Sequence, residues 1–574
     1  MYFEIEINNK PVKVQKGETI LEVLRRIGIQ MPTLCSMTNF LPTGMCRMCV
    51  VEIEGKENLI PSCSFKVEEW MKIKTHSPRV VLARKTIVEL LLANHPDDCL
   101  YCERNGNCEL QHLAEDLHVR EKRIKGKKEP FYIDKSGISI IHEPSKCILC
   151  GRCIRVCNEK IGVSTFEFAY RGDKTCVAIT LNKPINSSSC VFCGQCIMVC
   201  PTASLSERIN FSEFQVYFHD PSKKMAISYS PAVAVTIAEH FGIKPNRNIN
   251  GILNAVLKKI GFEIIIDNSI GADLMIYEIA HELKKRIEEK ENLPMFTSCC
   301  PSWIKYAEQS FPELLENIST VKSTQQLTGA IIKRYFAKKE HIKPEDVYLV
   351  SVMPCTSRKF EATRPEMTIH GISDVDSVIT TRELIRMINM YGINIENIEP
   401  EPYNSNLSVS LSGVLVNVSG GTTEMILRTL YYLQTGEELI NDKLTTLRTN
   451  KSIKTYELNI GKKKIKVAVV NGLNNVKEII EEVKKEKNEI HFIEVMTCEG
   501  GCINGGGQPI KQSENSIKQR IRYIYELYDK NIIHLPHQNK LLKELYSDVF
   551  GHPNNPENFG IIQTYYTKRE DLLT

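Results

Sequence analysis

The chain runs to 574 residues, more than one hydrophobic core encloses, so several domains are expected. Hydrophobic residues make up 42% and charged residues 25%, and the formal charge is only +4, which excludes a disordered chain and gives no reason to expect nucleic acid as a partner. No apolar run approaches the roughly 18 residues of a membrane span and the first residues lack the pattern of a signal peptide, so a cytoplasmic protein with no membrane partner is expected.

In chain order, Phe3, Ile5 and Ile7 alternate as a strand, Asn8 and Asn9 supply a turn, and Val12 and Val14 resume the alternation. Thr19 and Glu22 sit at capping-box spacing at the head of a helix whose apolar stripe is Ile20, Val23, Leu24 and Ile27. A hairpin followed by a helix predicts a small β-grasp module. It carries Cys35, Cys46, Cys49 and Cys63, which resemble the plant-type 2Fe-2S pattern. Ten residues precede the close pair where that pattern has four, and zinc stays open on spacing alone.

A second helical stretch over 86–94 runs into His95. With Cys99, Cys102 and Cys108 it gives one imidazole and three thiolates that can close a four-coordinate site, a set that structural zinc also uses. The basic run Arg120, Lys122, Arg123, Lys125, Lys127 and Lys128 reads as a solvated linker, or as a patch that steers an acidic partner.

Residues 140–205 hold an internal repeat. Cys147, Cys150, Cys153 and Cys157 recur as Cys190, Cys193, Cys196 and Cys200, the second run ending in Pro201 and the first in Asn158. This is the two-cluster bacterial ferredoxin pattern, in which the fourth cysteine of each run ligates the other cluster. One 4Fe-4S cluster then takes Cys147, Cys150, Cys153 and Cys200, and the other Cys190, Cys193, Cys196 and Cys157. A pair of zinc ribbons is the competing reading, but such tight spacing crowds four thiolates round a cube better than round one ion. Cys176 has no partner at motif spacing and reads as an incidental thiol. Beyond about residue 225, short apolar runs at 225–229, 262–266, 347–353, 465–470 and 490–495 alternate with helical patterns such as 274–287, which implies α/β layers with parallel strands.

A 2Fe-2S module, a one-histidine site and a two-cluster ferredoxin, in that order, are similar to the amino-terminal part of the large iron-sulfur subunits of complex I and some formate dehydrogenases. The second half breaks that tie. Thr297-Ser-Cys-Cys-Pro301, Met353-Pro-Cys355-Thr-Ser-Arg-Lys359 and Glu494-Val-Met-Thr-Cys498-Glu-Gly-Gly-Cys502-Ile-Asn-Gly-Gly-Gly507 closely resemble the signatures of diiron (FeFe) hydrogenases. The resemblance spans the chain, at the length of the monomeric five-site bacterial type.

The resemblance implies a multidomain α+β and α/β protein: a β-grasp 2Fe-2S module at 1–78, a one-His/three-Cys 4Fe-4S module at 79–125, a two-cluster ferredoxin module at 126–209 and an α/β H-cluster domain at 210–574. Cys300, Cys355, Cys498 and Cys502 would hold a 4Fe-4S cluster. Cys502 would also bridge to a two-iron subsite carrying carbon monoxide, cyanide and a dithiolate, the whole being the H-cluster. With one 2Fe-2S and three accessory 4Fe-4S clusters, these sites take 19 of the 21 cysteines. The implied activity is the reversible conversion of two protons and two electrons to H2. Electrons would be exchanged with ferredoxin or flavodoxin, since no convincing dinucleotide fingerprint is present. Dedicated maturation enzymes would assemble the centre.

In the family the cysteine before the first H-cluster ligand moves protons, a role that carries onto Cys299 and suits a thiol, with a small buried hydrophobe as the lesser alternative. Glu282, Ser319 and Arg286 match the onward relay, while its inner glutamate is replaced by Ile279. Glu278 and His281 are candidate stand-ins, each more simply part of a solvated helix face. Arg358 stands for a lysine that contacts cyanide, Ser230 precedes Pro231 where alanine is usual, Glu499 replaces histidine, and Val416 and Asn417 replace a Phe-Gly pair. Met353 and Met496 match methionines near the diiron subsite, or serve as core packing. Such changes are expected to alter catalytic bias more than ligation. The runner-up is an H2 or redox sensor with low turnover, whose known relatives carry a signalling module not expected here. An electron-transfer subunit of a dehydrogenase complex would leave the later cysteines unexplained.

Overall fold

The computed structural model describes residues 2–128, 132–244, 247–402, 412–439, 442–449, 451–461, 463–485, 490–510, 513–529 and 535–569. The first module is a five-stranded sheet in the order Lys10–Gln15, Tyr2–Ile7, Lys72–Lys74, Val50–Ile53, Ile60–Pro61. Its opening hairpin turns through Asn8 and Asn9, both at positive φ, the backbone that a tight antiparallel connection needs. The helix Ile20–Arg26 packs Ile20, Leu21, Val23 and Leu24 into the core, and Thr19 and Glu22 form the capping box. Ile27 departs from the expected stripe: it is the C-cap and is exposed, because the helix ends before its next turn.

The second helix is longer than its apolar pattern indicates. It runs over Pro78–Asn94, started by Ser77, whose side chain caps Val80 N–H, and by Pro78 in the first turn. The 120–128 segment has no helix or strand. Lys122 and Lys128 both pair with Asp97, and Arg123 with Glu89, so half of the basic run is tied back to the His95 module.

The ferredoxin repeat is conformational as well as sequential. Leu149 and Phe192 both lie at φ 55°, followed by Gly151 and Gly194 at φ 69° and 75°. In each run the N–H two residues after the first cysteine donates to its sulfur, at 3.4 Å.

Two four-stranded sheets follow. Ile264–Asp267, Lys224–Tyr229, Val347–Met353 and Ser377–Thr380 are parallel throughout. The second sheet, Met295–Phe296, Ile490–Met496, Lys463–Asn471 and Ile453–Ile460, is parallel except for its last strand, an antiparallel hairpin partner that the sequence reading did not single out. Between the sheets the helix Ser269–Glu289 packs against Thr324–Ala330 and Gly421–Thr435. It buries residues around most of its circumference, Ile279 at 0% and Glu278 at 1% exposure. The chain after 535 wraps back over it, where Asn539 Nδ2 donates to Asp273 Oδ2 at 2.9 Å, and then runs along 320–322, where Thr564 N–H donates to Thr320 O at 2.7 Å and Lys322 N–H to Ile562 O at 2.8 Å. Among the described residues, no helix is long and apolar enough to cross a membrane.

Candidate functional site

In the first module the four thiols fall into two pairs, Cys35 with Cys46 and Cys49 with Cys63, each pair within hydrogen-bonding reach. Among the described residues no three His, Cys, Asp or Glu side chains converge as ligands of one ion would. His95 caps the end of Pro78–Asn94, Cys99 opens the short helical turn Cys99–Tyr101, and Cys108 caps Glu109–Asp116. Burial lowers the His95 pKa, which keeps the ring neutral, and its Nδ1 has no hydrogen-bond partner.

The ferredoxin thiols gather in a crossed arrangement. Cys200 acts electrostatically on Cys147, Cys150 and Cys153, while Cys157 acts on Cys190, Cys193 and Cys196. Burial is the main influence on all six, pushing Cys147 up to about 11 and Cys150 up to about 12. Cys176 is partly exposed, on the strand Cys176–Ile179.

Both later sheets aim their carboxyl ends at one place, where ligands of α/β folds gather. Val347–Met353 leads into Cys355, Ile490–Met496 into Cys498, and Met295–Phe296 into Cys299 and Cys300; Cys502 opens the turn Cys502–Asn504. Cys300, Cys355, Cys498 and Cys502 line one cavity. A second, smaller cavity adjoins it and includes Ser230, Pro231, Asn268, Met353 and Asn417. Cys299, Cys355, Arg358 and Cys502 line both. Met496 lines the larger cavity and Met353 the smaller. Cys300 Sγ lies 3.3 Å from Thr497 Oγ1, and Cys355 Sγ 3.3 Å from Ser357 Oγ.

Arg358 uses both arms of its guanidinium. Nη1 donates to Glu361 Oε2 at 2.8 Å, while Nη2 donates to Cys299 O at 2.8 Å and reaches Cys299 Sγ at 3.4 Å. Burial pushes the Cys299 thiol up and the Arg358 charge pulls against it. A lysine offers no such fork. Ser230 Oγ donates to Asn417 Oδ1 at 2.5 Å, so two of the unusual residues of the sequence contact each other across the smaller cavity.

The outer relay residues meet. Ser319 Oγ donates to Glu282 Oε2 at 2.6 Å, and Arg286 Nη2 to Glu282 Oε1 at 2.7 Å. Ile279 packs in the same apolar core as Cys299 and Met353. Glu278 is not on a solvated face: Tyr546 OH donates to its Oε1 at 2.6 Å and Asn554 N–H to its Oε2 at 2.8 Å. His281 is half-buried against Tyr277, and burial pushes its pKa down to about 4. The expectation of exposure failed because the segment after 535 covers this side of the helix, a contact that no local pattern encodes. Sequence reasoning also missed Glu361, Asn268 and Gln195. Glu361 alone left a signal, its three-residue spacing from Arg358.

Family models match along the chain: a 2Fe-2S iron-sulfur cluster binding domain at 2–78, an NADH-ubiquinone oxidoreductase-G iron-sulfur binding region at 84–123, a 4Fe-4S dicluster domain at 146–204, the C-terminal domain of the iron-only hydrogenase large subunit at 223–506, and the iron hydrogenase small subunit at 514–569. The chain is 36% identical to the NADP-reducing hydrogenase subunit HndD of Solidesulfovibrio fructosivorans, covering 99% of each. It is 35% identical to iron hydrogenase 1 of Clostridium pasteurianum, over 98% of this chain and 100% of that one. A variant of the apo FeFe hydrogenase HydA1 from Chlamydomonas reinhardtii superposes with a TM-score of 0.56 at 31% identity, over 61% of this chain and 96% of that one.

Proposed function

Since the chain belongs to the iron-only (FeFe) hydrogenase family, we propose that it interconverts two protons and two electrons with H2 at an H-cluster held by Cys300, Cys355, Cys498 and Cys502. The observation that carries this is the pair of adjoining cavities: four thiols line the larger, and Cys502 is shared with the smaller. The donor set suits the group. Burial pushes Cys355, Cys498 and Cys502 up, so without a cation they would stay protonated, whereas iron holds them as thiolates. Asn268 Oδ1, on the smaller cavity, is buried without a partner. When bound, the H-cluster supplies the iron at which H2 is split or formed, with carbon monoxide, cyanide and a bridging dithiolate as its other ligands.

The chain's own residues then have three tasks. Arg358 fixes Cys299 by its carbonyl and thiol, and Glu361 anchors Arg358, so the thiol is held at the wall common to both cavities to take or give a proton. Glu282, held by Ser319 and Arg286, stands at the outer relay position, which comes into use only where the inner position, Ile279 here, can carry a proton. Ser230, Pro231, Met353 and Asn417 shape the smaller cavity, and Met496 the larger.

Modules at 1–78, 79–125 and 126–209 would carry one 2Fe-2S and three 4Fe-4S clusters ahead of the H-cluster domain at 210–574. Cys35, Cys46, Cys49 and Cys63, within the stretch that a 2Fe-2S binding-domain model matches, would hold the two irons. The crossed ferredoxin thiols favour two cubanes. Ferredoxin or flavodoxin is the proposed partner, in a cytoplasmic setting with maturation enzymes. A nicotinamide route through companion subunits is the alternative, since one relative is named an NADP-reducing hydrogenase subunit.

Ile279 favours a second reading, an H2 or redox sensor with low turnover, because isoleucine carries no proton. Gas evolution by matured protein with reduced methyl viologen separates the two. Sustained turnover supports the enzyme, a rate orders of magnitude below that of the relatives supports the sensor, and neither evolution nor uptake by protein with its full iron complement contradicts both.

A further inference from the structure

One side chain of the ferredoxin module reaches a sulfur of the H-cluster set. Gln195 stands between Cys193 and Cys196, at the start of the helix Gln195–Val199. Its Nε2 donates to Cys498 Sγ at 3.3 Å and to Asn504 O at 2.9 Å. The two hydrogens of one amide nitrogen are thus divided between a cubane ligand and the loop that follows Cys502. The carbonyl of Asn504 fixes the orientation, since a flipped amide would set its oxygen against two acceptors.

The surrounding backbone has no slack. Gly194 lies at φ 75°, and a Cβ there would meet Thr356 Oγ1 at 2.4 Å; a Cβ on Gly506 would meet Cys193 O at 2.1 Å. Thr356, next to Cys355, donates to Phe192 O at 2.7 Å. The loops of the two clusters are therefore seated directly on one another, and the Cys193 and Cys498 thiols act on each other electrostatically.

We propose that Gln195 is a positioning residue for electron entry, its N–H···S bond to Cys498 holding the H-cluster cubane at a higher reduction potential than the cysteine set alone would give. This rests on the H-cluster reading above. One electron leaves the reduced ferredoxin cluster and one enters the oxidised cubane, with no proton moving. The reduced cubane carries one more negative charge, spread onto its thiolates, so an amide hydrogen aimed at one of them stabilises the reduced form more than the oxidised form. The same hydrogen offsets the repulsion between neighbouring thiolate sets.

The test is an infrared-monitored redox titration of matured holoenzyme, parent against Gln195→Met and Gln195→Leu. Both replacements keep approximate bulk and remove the donor. Carbon monoxide and cyanide bands respond to the oxidation state of the cubane and are blind to the accessory clusters. At the parent midpoint each variant should hold its cubane about tenfold less reduced, a 59 mV fall for one electron. Midpoints equal to the parent's in either loaded variant overturn the proposal. If Leu fails to load the centre, Met alone decides. A parent without the bands counts against the H-cluster reading instead.

Discussion

At the residue scale, the proposed proton route turns on the isoleucine at 279. The relay residues Glu282, Ser319 and Arg286 and the thiol Cys299 were readable from family motifs, and the structure brings the first three into contact. Ile279 is fully buried in an apolar core, and a substitute water there would need polar partners. Ile279→Glu should therefore raise proton-limited turnover and make it depend on Glu282, while Glu282→Gln in the parent costs little. If the parent loses nearly all its activity in Glu282→Gln, measured as H2 evolution, protons cross the isoleucine by the usual route.

Glu278 gives a separate prediction. Burial, helped by the neighbouring charge of Glu282, pushes its carboxyl up to about 7, against hydrogen bonds from Tyr546 and Asn554 and the charge of His552. The folded protein keeps a proton that the unfolded chain releases from about 4.5 upward. Stability is thus lost as pH rises through that interval to about 7, by about 3 kcal/mol in all. Glu278→Gln removes the titration. Thermal midpoints followed from pH 5.5 to 8 should fall less in the variant than in the parent, and parallel curves would contradict this assignment.

At the scale of elements, strands were legible wherever a short apolar run stood alone, as at 347–353, because a strand buried on both faces needs nothing but apolar residues. Helix ends are legible where a cap adjoins the apolar stripe: Thr19 marks one, whereas Ser77 and Pro78 start Pro78–Asn94 eight residues ahead of the apolar stretch at 86–94. The four cysteines that share one cavity come from segments up to two hundred residues apart, so only family motifs connected them beforehand. Gln195 and Asn554 act through contacts across hundreds of residues and left no local trace. The loop contact at Gly506 is equally non-local and can be tested. Gly506→Ala places a methyl group against the Cys193 carbonyl, an overpacking that should cost about 1–3 kcal/mol and loosen the two cluster loops. Chemical denaturation of iron-loaded protein measures it, and an unchanged midpoint would show that the loops yield.

Across the whole molecule, the ferredoxin module is fastened to the catalytic domain by buried charge. Arg382 Nη2 meets Glu207 Oε2 at 2.8 Å, and Lys359, paired within the catalytic domain with Glu383, also donates from its Nζ to Arg208 O. Removing one partner strands the other, so Arg382→Met should destabilise by about 3–5 kcal/mol. Replacing Arg382 and Glu207 together by apolar residues should recover much of that; a double variant no better than the single would mean that the pair is not the unit.

The reading of this assembly as a hydrogenase meets its most direct test in the infrared spectrum of protein produced with the maturation enzymes and loaded with iron. The account predicts sharp bands from bound carbon monoxide and cyanide in the parent, and their loss in Cys502→Ala while the accessory clusters keep their visible absorption. A fully iron-loaded parent without those bands would contradict it.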